Sequence, residues 1–145
     1  DFSDSGKDID RTLLPIGIKQ AIKLRSYLSA IQGIEVVWCS KASRTRQTSE
    51  IVLNESYPSP QFDLDLYLAS KQTLLQKIWS FEPNKDLLII GHNFGISDVI
   101  NYFTEENIEL DTAEYVCIEF NCDSWTETSM GTGTIFDRFH PKVSS

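Results

Sequence analysis

The chain predicts an α/β fold, a three-layer α-β-α sandwich with a mostly parallel sheet and an antiparallel edge, on three observations. Short apolar strand candidates alternate with amphipathic helix candidates as far as Phe103. The run Leu87 to Ile90 is apolar at all four positions, which suits a parallel strand covered on both faces better than a half-solvated antiparallel one. Near the carboxyl terminus Tyr115 to Asn121 alternates, with Val116, Ile118 and Phe120 on one face, and Gly133 to Phe139 follows as its hairpin partner.

Taken in order, Asp1 to Asp10 is polar and turn-like. Pro15 and Gly17 precede Ile18, Ala21, Ile22, Arg25, Leu28 and Ile31, a helical repeat over Pro15 to Ile31 that Gly33 terminates. Glu35 to Cys39 is a strand of β-forming residues that empties into Ser40, and a helix from Ser43 to Leu53 places Ile51 and Val52 inward. Tyr57 to Pro60 is a proline-containing loop, and Phe62 to Tyr67 a short strand or extended connection. Lys71 to Phe81 repeats as a helix through Leu74, Leu75, Ile78 and Trp79, broken by Pro83-Asn84. After Leu87 to Ile90, Gly91 allows a sharp turn, and Gly95 and Ser97 suit the entry to a helix over Ile96 to Phe103. An acidic stretch and a turn at Asp123 to Trp125 flank the first hairpin strand.

The length predicts a single domain over residues 1–145, able to bury roughly 68–70% of its unfolded surface without a disulfide or metal. Hydrophobic content of 41% excludes a disordered chain, and no run of about 18 apolar residues provides a membrane span. A net charge of −8 repels polyanions, so neither nucleic acid nor membrane is an expected partner, and any bound anion needs a local basic cluster. Cys39, Cys117 and Cys122 have no CxxC or paired spacing, and neither Cys117 nor Cys122 has a neighbouring base and a phosphate-cradling loop. They read as structural thiols in a reducing, cytoplasmic setting, and no secretory leader is seen.

In open α/β sheets the ligand crevice lies outside the carboxyl ends of the strands. Two such ends carry polar chemistry, Ser40 with Arg44 beyond it, and Gly91 with His92 and Asn93. Arg44, beside the N-terminal N–H groups of its helix, is the candidate anion clamp, whereas Lys41 and Arg46 fit a solvated basic face. His92 reads equally as a reactive imidazole or as a loop histidine satisfied by backbone groups. His140, before Pro141, reads as a surface residue.

With these residues in view, the sequence resembles the histidine phosphatase superfamily, whose fold is phosphoglycerate mutase-like, and within it the short SixA-type phosphohistidine phosphatases. Ser40 to Thr48 is similar to the family segment whose arginine binds phosphate, and Gly91 to Ser97 to the segment whose histidine is the second catalytic imidazole. Asp8 to Arg11 with Leu13 to Gly17, Leu66 to Ser70, Ser124-Trp125 and Pro141-Lys142 also resemble the small subgroup. The resemblance implies His92 and Arg44 as catalytic groups, Arg44, Asn93 and Ser40 as substrate-binding groups, and neither metal nor cofactor. It also implies a nucleophilic histidine in an Arg-His-Gly or Arg-His-Ala strand. Neither His92 nor His140 sits in such a tripeptide, so that strand is expected upstream of Asp1.

The implied activity is removal of phosphate from phosphohistidine on a protein, a histidine phosphotransfer domain, through a covalent phosphohistidine intermediate. The short interval between Thr48 and His92 leaves no room for a lid, which suits a phosphate displayed on a protein. A protonatable imidazole also leaves without help, whereas an ester leaving group needs a general acid, and Asp63, Asp65 and Glu55 are equal candidates for that role. The alternatives are a phosphomonoesterase acting on a small phosphorylated substrate, and a non-catalytic phosphate-binding domain.

Overall fold

The computed structural model describes residues 8–82 and 84–142. The turn expected over Asp1 to Asp10 therefore lies outside the described residues except at its end, where Asp8–Asp10 forms a 3-10 turn, and Pro83 lies outside them too. Four helices and five strands follow among the described residues: α1 (Pro15–Leu28), β1 (Val36–Ser40), α2 (Ser43–Val52), β2 (Gln61–Asp63), α3 (Lys71–Trp79), β3 (Leu87–Ile90), α4 (Gly95–Thr104), β4 (Tyr115–Phe120) and β5 (Gly133–Phe139).

Most elements begin where the sequence predicts, and several end early. Helix α1 stops at Leu28 rather than Ile31, because the chain must reverse to feed β1; Gly33 takes a φ of +93° in that reversal, a conformation that favours glycine. Helix α3 starts on a side-chain cap, the Ser70 hydroxyl accepting from the Thr73 N–H, and ends two residues before the expected Phe81. The stretch expected as a strand from Phe62 to Tyr67 is divided: Gln61–Asp63 pairs in the sheet, and Leu64–Leu66 winds into a 3-10 turn held by the Asp63 carboxylate, which accepts from the Asp65 N–H. Ser97 lies inside α4 rather than capping it.

Strands β2, β1 and β3 form one parallel sheet in that spatial order, and β4 and β5 form the expected antiparallel hairpin as a separate pair. Side chains on one face of the strands, Trp38, Ile89, Ile118 and Phe120, pack on a core from α3 and α4 centred on Leu74, Leu75, Ile78, Val99 and Phe103. On the other face Tyr115 and Phe139 meet Ala21, Leu24 and Leu28 of α1 and Val52 of α2. Helix pairs thus cover both faces, which is the predicted three-layer arrangement.

Among the described residues no strand bonds to the free edge of β3 or of β4. Leu88 to Gly91 along that β3 edge and Tyr115 of β4 line a common cavity of about 400 Å³, whose walls include Leu24, Leu28 and Val52. All four residues of β3 are only half-buried, although their composition is that of an interior strand.

Candidate functional site

The parallel register brings three strand ends to one place. Cys39 of β1 pairs with Ile90 of β3, and Ser40 of β1 with Asp63 of β2, so the residues after each strand emerge side by side. From β1 come Ser40 and, at the second residue of α2, Arg44; beyond β2 comes Tyr67; beyond β3 comes His92. The turn Asp8–Asp10 approaches the same spot from before α1, with Asp8 in contact with Arg44 and Tyr67.

Arg44 and His92 lie against one another, Arg44 Nη2 standing 3.5 Å from His92 Nδ1. A guanidinium has only donors, so Nδ1 is the accepting nitrogen of the ring. The ring proton then belongs on Nε2, which donates to Ser40 Oγ at 2.8 Å. Ser40 is fully buried, and its Oγ also accepts from the Ala42 N–H at 3.2 Å, so a hydroxyl locked at the end of β1 fixes the ring's direction while the guanidinium fixes its tautomer. The Tyr67 ring meets the imidazole edge-on, 5.5 Å between centroids at 88°, and the Arg44 guanidinium lies 6.0 Å from the same tyrosine ring.

Burial, with the positive charge of Arg44 beside it, pushes the His92 pKa down to about 4, and the Asp8 carboxylate opposes this only in part. The ring is therefore neutral at pH 7, with a lone pair on Nδ1 aimed at the guanidinium. Asp8 is held below the usual carboxylate range, first by the Tyr67 hydroxyl and then by Arg44 and Arg11.

Of the residues singled out from sequence, Arg44, His92 and Ser40 come together. Asn93 lines the same cavity as Arg44 and His92 with its side chain tied to the Leu110 segment: its amide donates to the Leu110 carbonyl and its oxygen accepts from Ser97 Oγ, which in turn accepts from the Leu110 N–H at 2.9 Å. Lys41 is exposed, and Arg46 lies over the Phe62 ring at 5.2 Å. Asp63 is ion-paired with Lys77, which holds its carboxylate ionised, and Asp65 and Glu55 are exposed; none of these three lines the cavity. Asp8 and Tyr67 are members of the site that sequence reasoning did not single out for chemistry, and their only signal was that each lies in a segment shared with the small phosphatases.

The thiols take no part. Cys39 is buried, its pKa pushed up to about 11 by that burial, and all three cysteines are unpaired. Among the described residues one group, Asp111, Glu114 and His140, brings metal-ligating atoms within 4.8 Å of one another. Its atoms are already engaged, His140 Nε2 with Asp111 Oδ2 at 2.7 Å and Glu114 Oε2 with Arg138 at 2.8 Å. No described helix is long and apolar enough to cross a membrane.

Comparison with known proteins bears on this arrangement. Residues 4–67 match the family model of the histidine phosphatase superfamily, branch 1. No curated protein matches the chain in sequence. Among solved structures, one named as a candidate phosphohistidine phosphatase SixA from Nakamurella multipartitia superposes with a TM-score of 0.82 at 18% identity, covering 95% of this chain and 89% of that one. Another so named, from Agrobacterium tumefaciens, gives 0.76 at 17% identity over 93% of this chain and 87% of its own. A third, the protein histidine phosphatase SixA complexed with tungstate, gives 0.71 at 16% identity over 94% and 88%. The chain has the fold of the SixA-type histidine phosphatases and, over residues 4–67, the sequence signature of their superfamily.

Proposed function

We propose that the protein is a phosphatase that removes phosphate from phosphohistidine on a partner protein, with Arg44 and His92 as its phosphate-binding and charge-stabilising groups. The observation that carries this reading is the 3.5 Å approach of Arg44 Nη2 to His92 Nδ1 at the mouth of a cavity at the strand ends. Phosphoryl transfer asks mainly for positioning and for neutralisation of charge on three equatorial oxygens. Arg44 supplies a planar fork for two of them. A dianion arriving beside Nδ1 raises the imidazole's proton affinity, and the resulting imidazolium donates to a third oxygen while Ser40 holds the other nitrogen. Superposition with a structure complexed with tungstate, a tetrahedral dianion, is in keeping with such a site.

The nucleophile in this reading is a histidine on an Arg-His-Gly strand upstream of Asp1. Supporting that placement, the cavity lined by β3 and by Tyr115 of β4 has apolar walls at Leu24, Leu28, Val52 and Ile96, and His92 and Arg44 line it too. A strand inserted there, pairing with each free edge at about 4.8 Å, would join the two sheets into one. Its imidazole nitrogen attacks phosphorus as the substrate's P–N bond breaks, and the departing imidazole takes up a proton. Water then attacks the enzyme's phosphohistidine, the second P–N bond breaks, and inorganic phosphate leaves. Asp63, Asp65 and Glu55 stand apart from the cavity and Asp8 is held ionised, so no general acid is posed for an ester leaving group among these four. Exposed Leu68 and Phe94, flanking Tyr67 and His92 in sequence, offer apolar contact to a protein substrate.

The intact protein is expected to release phosphate from a phosphorylated histidine phosphotransfer domain, with Arg44→Ala and His92→Ala each lowering turnover by about 100-fold or more, the loss typical of one oxyanion-stabilising group. Unchanged turnover in both variants overturns the reading. A second reading, a phosphate-binding domain without catalysis, is favoured by one observation: of the two histidines in residues 1–145, His140 is committed to Asp111. Codons upstream of Asp1 that do not encode an Arg-His-Gly or Arg-His-Ala tripeptide select it.

A further inference from the structure

The fork of Arg44 is engaged within the chain. Its Nη1 donates to the Asp8 backbone carbonyl at 3.0 Å and its Nη2 to Asp8 Oδ2 at 3.2 Å. The same carboxylate oxygen accepts the Tyr67 hydroxyl, while Oδ1 accepts from Arg11 Nη1 at 3.1 Å. One carboxylate oxygen and the backbone carbonyl of Asp8 thus occupy the two N–H groups that a pair of phosphoryl oxygens would take, so Asp8 and a phosphoryl group cannot share that edge of the guanidinium. Moving Asp8 away disturbs little packing, because its turn is three residues long and none of the three is buried.

We propose that Asp8 is an internal anion that competes with the phosphoryl group for Arg44, making the Asp8–Asp10 turn a latch that a bound phosphate must displace. The proposal rests on the reading of Arg44 as the phosphate clamp. Its consequence is arithmetical: a site open only part of the time binds every ligand more weakly by the same factor, the fraction open. Tyr67 and Arg11, which also hold the carboxylate, set that fraction, and the latch is fully charged at neutral pH because all three donors favour the ionised form. In the reaction proposed above, Asp8 sets the affinity at which substrate is engaged and product phosphate released.

Calorimetric titration of the intact protein with tungstate and with perrhenate, tetrahedral anions of charge −2 and −1, tests this. Asp8→Asn keeps the shape and an accepting oxygen but removes the charge, and Asp8→Ala removes both. Both variants are expected to bind both anions more tightly, by about threefold to tenfold for Asp8→Asn and more for Asp8→Ala, with the two anions gaining by the same factor within about threefold. Arg44→Ala is expected to abolish binding of either anion in every background. Unchanged or weaker binding in the Asp8 variants, with Arg44 still required, overturns the latch and makes Asp8 a positioning residue for the guanidinium. Anion binding that survives Arg44→Ala overturns the phosphate reading itself, and the latch with it.

Discussion

At the scale of single residues, the fold by itself keeps one imidazole neutral. His92 donates from Nε2 to a buried serine and presents Nδ1 to Arg44, and both burial and that positive charge oppose protonation. Its folded pKa of about 4 lies below the ordinary 6.5, so between these values the unfolded chain binds the extra proton. The stabilisation is thus fully present above about pH 6.5 and is lost as pH falls through about 4. Allowing for solvent screening of a half-buried ring, this is worth about 1–2 kcal/mol. Urea denaturation at pH 7 and pH 4.5 should show wild type losing about that much more stability than His92→Gln; equal losses would mean that the ring is not held neutral. Arg44, His92 and Ser40 were legible in the sequence because each follows a recognisable strand end. Asp8 was not, because its partner Tyr67 lies 59 residues away and nothing in local pattern predicts such a contact.

Whole elements are positioned by close backbone approach as much as by apolar faces. Helix α4, which begins three residues after His92, lies so near the chain leaving β2 that a Cβ built on Gly95 falls 2.0 Å from the Ala69 carbonyl oxygen. That oxygen is backbone and cannot swing aside. Gly95→Ala is therefore expected to destabilise the fold by about 2–4 kcal/mol, with anion affinity falling as α4 and the His92 loop shift together. A melting temperature within a degree of wild type would show that the approach is looser than the structure has it. Sequence patterning located α4 and its apolar face, and it marked Gly95 as suited to a helix entry, but the need for a glycine there comes from Ala69 in another segment. The same limit explains the divided stretch after Gln61, where β-forming residues cease to pair once the Asp63 side chain winds the next turn.

For the molecule as a whole, alternation of strands and helices was enough to predict the three layers, the parallel sheet and the antiparallel hairpin. Which strands are neighbours was not legible, since apolar runs record burial and not partners. Their arrangement leaves β3 and β4 facing one another across the cavity rather than bonded, with the paired Arg44 and His92 at its mouth. The overall charge of −8 gives no hint of the proposed anion site, which rests on three strand ends converging on one guanidinium.

If Arg44 and His92 together hold one tetrahedral dianion, a crystal structure of the intact protein soaked with tungstate will show it. The anion is expected with oxygens about 2.7–3.2 Å from both Arg44 Nη atoms and from His92 Nδ1, and with Asp8 withdrawn from the guanidinium. Tungstate seated elsewhere, with Arg44 still bound to Asp8, would contradict it.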